Sequence, residues 1–302
     1  MKTEIQKYFE TLQDNICRAL EKTDGKGKFH QDIWTHHSGG GGCTRVLMHG
    51  DVIEKGGVNF SATSGILSQN MAQRMNVEPI GYFATGVSLV IHANNPFVPT
   101  IHMNVRYFEL ENGKYWFGGG IDITPMYVIL EDGIRFHTGL KTICDKYNPE
   151  YYLKYKKWAD EYFYLPHRKE MRGIGGIFFD YVAEDEQTTK QNIFDFVQDV
   201  GDFFAPFYTE TMNLRKNTPY TQEHKDFQLW RRGRYVEFNL IYDRGTLFGL
   251  DNQGRSESIL MSLPYEVRWL YDYQPEPDTE EAFTLSYLQP KDWINLSQAL
   301  KQ

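Results

Sequence analysis

Apolar residues recur along this chain in two rhythms. The opening stretch, MKTEIQKYFETLQDNICRAL, sets Ile5, Phe9, Leu12, Ile16 and Leu20 at helical spacing and predicts an amphipathic helix over about residues 1–22. Residues 24–43 are polar and end in Ser38 and the run Gly39–Gly42, which reads as a mobile connecting loop. Alternation then takes over in Thr44–Met48, Gly86–His92, Thr100–Leu110 and Tyr115–Ile123, all read as strands. Their links carry Asn94, Asn95, Pro96 and Pro99, and then Asn112-Gly113, a hairpin signal that favours antiparallel pairing.

Helical spacing returns in Gly133–Tyr147 and Glu150–Tyr164, divided by Asn148-Pro149, and in a long aromatic helix from about Ile193 to Leu214. A short strand, Gly176–Phe179, lies between them. Within the segment Leu229–Trp269 one strand is read, with Val236, Phe238, Leu240 and Tyr242 on one face and Tyr235, Glu237, Asn239 and Asp243 on the other. Gly245–Leu250 is its expected hairpin partner. Ser256–Tyr271 reads as a helix kinked or divided at Pro264, and Lys291–Leu300 as a closing helix. Internal repeats and domain-splitting linkers are lacking. The expected fold class is α+β: one domain over 1–302 with a large antiparallel β-sheet flanked by helices.

Composition narrows the function. Forty acids against 32 basic residues give a net charge of −8, which argues against nucleic acid as a partner. Three scattered cysteines (Cys17, Cys43, Cys144) exclude a disulfide scaffold and a zinc ribbon. Without a membrane-length apolar run or a signal-peptide core, the chain reads as soluble and cytoplasmic.

Against that acidic background, Arg231, Arg232, Arg234, Arg244 and Arg255 crowd one segment. Guanidinium groups match carboxylates and phosphates bidentately, although an ion-paired solvated face accounts for the same density. Alternation also places Ser88, His92, His102, Asn104, Arg106 and Asp243 on polar strand faces. A ligand on one side of the sheet would account for all of them. His137 and His167 stand apart, and no histidine has metal-motif spacing. Arg172-Gly173-Ile174-Gly175-Gly176 follows a helix and precedes a strand, the reverse of a dinucleotide loop. Phe117-Gly118-Gly119-Gly120 lacks the lysine of a phosphate loop. A binding module without turnover and a metal-dependent hydrolase or lyase remain the competing classes.

Four blocks decide more. GVSLVIHANNPFVPTIHMNVRYF, WFGGGIDITPMY, YFYLPHRKEMRGIGGIFFD and RRGRYVEFNLIYDRGTLFGL with the following GRSESILMSLP closely resemble the aerobic, oxygen-dependent coproporphyrinogen III oxidases. The likeness runs from about Cys43 to Tyr273. It implies oxidative decarboxylation of two propionates of coproporphyrinogen III to vinyl groups, giving protoporphyrinogen IX. Molecular oxygen would be the co-substrate, with no flavin, NAD or haem, and a divalent metal is left open. It also implies a flat sheet sandwiched between helices and a homodimer using the expected strand and hairpin of about 235–269. Carried over by position, Ser88, Asn104, Val105, Arg106, Gln253, Gly254 and Arg255 would bind substrate. His102 would be the proton donor and Asp243 the carboxylate at the pyrrole nitrogens, while His92, His137 and His167 match metal-ligand positions. Phe179-Asp180-Tyr181 departs from the family pattern, which has a second aspartate after Asp180, and this leaves the role of Asp180 open.

Overall fold

The computed structural model describes residues 1–251 and 254–299, of which 70, 74, 248, 298 and 299 are described in backbone only. Its centre is a seven-stranded antiparallel sheet. Strands β1 (His30–Thr35), β2 (Gly40–Met48), β3 (Ile53–Ile66), β4 (Gly81–Ala93), β5 (Thr100–Leu110) and β6 (Tyr115–Thr124) lie side by side in chain order. A two-stranded ribbon, β7 (Tyr164–Leu165) with β8 (Glu170–Met171), stands apart, and β9 (Gly176–Val182) closes the sheet beside β6. The β5–β6 link turns at Gly113, whose φ of 87° suits a residue without Cβ, while Asn112 accepts the Lys114 N–H.

The alternation decides which face is covered. Val87, Leu89, Met103, Val105 and Ile121 share one core with Ile5, Phe9, Leu12 and Ile16 of α1 (Lys2–Asp24). Past a short α2 (Gln69–Arg74), that side of the molecule also takes α3 (Leu130–Tyr147) and, after α4 (Tyr151–Tyr162), α5 (Lys190–Arg215). Each large apolar side chain fully buried there contributes about 1.5–3 kcal/mol relative to exposure. The other face is flanked at one end by α4 and α6 (Gln222–Ile241), where Tyr162 and Phe163 meet both Phe178 and Phe238. Beyond α7 (Arg244–Asp251), α8 (Ser256–Leu260) reaches its other end, where Ser258 meets Thr44. The chain ends through α9 (Glu280–Ser286) and α10 (Trp293–Ala299). One α+β domain with helices on both sides of an antiparallel sheet agrees with the sequence reading.

Four local expectations are overturned. The glycine run is not a connector: Gly40–Gly42 belong to β2. A Cβ at Gly42 would lie 2.3 Å from the Trp34 ring and 2.4 Å from the Phe60 carbonyl, so close strand approach requires the missing side chain. The arginine-rich segment is helix rather than strand. It starts with a capping box in which Thr221 and His224 satisfy each other's backbone N–H groups. The expected hairpin partner is also helical, in α7. Helix in the segment 256–271 stops at Leu260, ahead of Pro264, so most of that stretch is irregular.

Candidate active site

Antiparallel register converts the polar alternation into rows. Thr44, Asn59, Ser88, Asn104 and Gly120 are successive cross-strand partners, as are Val90, His102 and Asp122, and Gly86, Arg106 and Gly118. Ser88, His102, Asn104 and Arg106 therefore stand on one face of adjacent strands. Val105 points to the opposite, helix-packed side and is fully buried there. Two surface concavities, one around Lys146 and Asp199 and one around Tyr127 and Phe283, include none of these residues.

At the heart of this face His102 Nδ1 lies 2.8 Å from Asp122 Oδ1. Asp122 is 1% exposed, and its carboxylate also accepts from Arg172 Nη2 at 2.8 Å and Nε at 3.2 Å. Burial opposes ionisation of Asp122, yet the Arg172 charge and the His102 hydrogen bond hold its carboxyl below the ordinary range. Arg172 is enclosed by the rings of Phe163, Tyr235 and Phe238, with its guanidinium carbon 4.4–4.7 Å from their centroids, and donates to Asn239 at 2.8 Å. The imidazole thus forms the solvent-side end of a buried, fixed chain.

Arg106 lies flat against the sheet, donating to Asn104 Oδ1 at 2.6 Å and pairing with Asp180 at 2.8 Å. Beyond the sheet edge, Asp243 Oδ1 accepts from Tyr162 at 2.8 Å, and its Oδ2 accepts the Thr246 N–H at 2.7 Å, which caps the start of α7. Tyr162 in turn stacks on Phe178, the β9 neighbour of Gly120. At the other edge Arg255 pairs with Asp32, the β1 partner of Thr44, and the Gly254 N–H bonds the Gly249 carbonyl. Gln253 lies outside the described residues. The expected residues thus divide into a central set on β4 and β5 and two sets at the margins.

His92, His137 and His167 are not brought together. His92 is buried between Thr100 and the Ser262 carbonyl, where desolvation and then Arg232 push its pKa well down. His137 sits between Tyr152 and the Ile174 carbonyl, flat on Trp293, and burial lowers it to about 3. His167 bridges Tyr242 and Glu237. Among the described residues no group of three or more His, Cys, Asp or Glu side chains could hold a metal ion. The three histidines therefore do not fit one shared metal centre as arranged.

Asp122 and Arg172 were missed as site residues. The signal for Asp122 was available, because His102 and Asp122 stand equally far on either side of the Asn112 turn and must pair if the hairpin closes there. Arg172 carried none: its partners come from β6 and α6, far away in sequence. The model of the coproporphyrinogen III oxidase family matches residues 4–293, nearly the whole chain, and the chain belongs to that family.

Proposed function

We propose that the protein converts two propionates of coproporphyrinogen III to vinyl groups, giving protoporphyrinogen IX with molecular oxygen as electron acceptor. The observation that carries this reading, within the family, is the convergence of His102, Asn104 and Arg106 with Ser88 on one polar sheet face. For each propionate, the C–H bond nearer the ring and the bond to the carboxylate both break. Carbon dioxide leaves, and the two electrons with two protons, one of them from solvent, reduce oxygen to hydrogen peroxide.

Residue roles follow from placement. Arg106 and Asn104 offer donors to a carboxylate, with Ser88 beside them and Arg255 at the far margin. His102, its Nδ1 engaged by Asp122, offers Nε2 for proton transfer. Asp243 uses one acceptor site on each oxygen internally, and a carboxylate has about four, so capacity remains for pyrrole N–H groups. The protein would supply orientation and electrostatics, with no flavin, NAD or haem. Exposed Leu240, Ile241, Leu250, Trp269 and Leu270 support a homodimer through the 235–269 region, and the chain is proposed to work in the cytoplasm.

The test is incubation of metal-stripped protein with coproporphyrinogen III, with and without oxygen. Vinyl product formed only with oxygen is the expected result. Product under strict anaerobiosis, or binding with no turnover in either condition, would overturn the reading.

A further inference from the structure

Arg106 is held by more than it needs. Asn104 fixes one terminal nitrogen, and Gly118 supplies a floor: a Cβ there would lie 2.8 Å from Nη2 and 2.4 Å from an Asp180 oxygen. Asn104 and this bare stretch of β6 suffice to orient the guanidinium. Asp180 adds a neutralising charge, and it is set independently of Arg106. The β6–β9 register shifts between Phe117 and Gly119, so the chain around Asp180 leaves the regular ladder. Its Oδ1 accepts the N–H of Tyr181, a non-glycine residue at φ 52°. The Tyr181 ring, 67% exposed, rests against Trp116 at 5.2 Å. Arg106 and Asp180 side chains are 34% and 20% exposed, so a dissolved carboxylate can reach the pair.

We infer that Asp180 is a specificity-determining residue: a resident carboxylate that competes with the ligand's carboxylate for Arg106. The inference rests on the reading of Arg106 as a holder of substrate carboxylate. A small acid arriving alone meets a neutralised guanidinium and a like charge beside it. A polycarboxylate anchored elsewhere on the same face has the additional contacts needed to displace Asp180. Selection by number of carboxylates follows from one ion pair.

The sign of one substitution separates a competitor from a buttress. Binding of coproporphyrinogen III is measured without oxygen, so that no turnover intervenes, for the unaltered protein, Asp180→Asn, Asp180→Glu and Arg106→Ala. Propionate serves as a competing monocarboxylate, and thermal unfolding checks each fold. Asp180→Asn is expected to bind coproporphyrinogen III about fivefold more tightly, with propionate becoming a better competitor. Asp180→Glu, which keeps the charge, should bind as the unaltered protein does. Unchanged or weaker binding by Asp180→Asn, or equal tightening by Asp180→Glu, overturns the competitor role. If Arg106→Ala binds as tightly as the unaltered protein, the reading of Arg106 itself falls.

Discussion

His102 and Asp122 face each other across the β5–β6 pair at 2.8 Å, and the same carboxylate carries Arg172 on its buried side. The histidine is 20% exposed, while the two groups behind it are all but inaccessible. An imidazole at the rim of this ion pair is held in place, because the pair is locked by rings and by Asn239. Rigidity here comes from a contact that stabilises little in net terms but is costly to break.

Asp122→Asn should therefore destabilise strongly although its shape is kept. The substitution leaves the Arg172 charge enclosed by three aromatic rings without its counter-ion, a loss of about 3–5 kcal/mol. Denaturant unfolding measures it, and a change below about 1 kcal/mol would mean that Arg172 is compensated elsewhere.

Acid should loosen the α6 side of the molecule through Glu237. This carboxylate receives Arg168, His167 and Trp269 and lies beside Arg234. Although burial opposes ionisation, these partners lower its pKa from 4.5 to about 2. A depressed carboxyl contributes stability above its unfolded value and loses it as pH falls through the folded one. Unfolding followed against pH should show the unaltered protein losing its advantage over Glu237→Gln between about pH 4.5 and 2. Curves that stay parallel through that window would deny Glu237 this role.

The same helix explains where sequence reading failed. Val236, Phe238, Leu240 and Tyr242 alternate, but the residues between them are not a solvent face. Glu237 and Asn239 are buried with partners, as are Arg231 against Glu170 and Arg232 against Glu54. A helix enclosed nearly all round loses its apolar stripe, and a chance period of two then looks like strand. The start signal at Thr221 and His224 lies ahead of the alternating stretch. By contrast β5, and β4 around Ser88, bury one face against helices and leave the other partly exposed, so their alternation is legible and places Ser88, His102, Asn104 and Arg106 on one face. Partners from distant elements, such as Arg172 for Asp122, have no local signature.

Arg106→Ala should weaken binding of coproporphyrinogen III and leave the fold intact. The side chain is one-third exposed, and its loss uncovers no apolar core. Losing one charge-assisted contact costs about 1.5–3 kcal/mol, or roughly ten- to hundredfold in Kd. Anaerobic titration with thermal unfolding alongside checks both halves. Normal affinity with reduced turnover would move Arg106 from binding to catalysis.

A homodimer through the 235–269 region predicts that Ile241→Asp or Leu250→Asp splits it. Both side chains are substantially exposed in the single chain, at 52% and 40%. A charge placed in an apolar contact would lose more than it would on open surface. Sedimentation at micromolar concentration should show the unaltered protein as a dimer and the variants shifted to monomer. A stable monomer from the unaltered chain would remove the dimer.

Asp243 and His102 should respond differently to removal. If Asp243 accepts pyrrole N–H bonds, its negative charge is what the reaction needs, and Asp243→Asn should abolish turnover. The fold should survive, because asparagine caps a helix about as well as aspartate: its one carbonyl oxygen can take the Thr246 N–H while its NH2 donates to the Tyr162 oxygen in place of accepting from it. If His102 transfers a proton, water can partly replace it, so His102→Ala is expected to keep a residual rate with an altered pH profile. The opposing account makes Asp243 purely a cap and tyrosine anchor. On that account Asp243→Asn would lower the unfolding temperature slightly and leave turnover at saturating substrate near normal. Both quantities measured on one preparation decide between the two, and near-normal turnover would take Asp243 out of the chemistry.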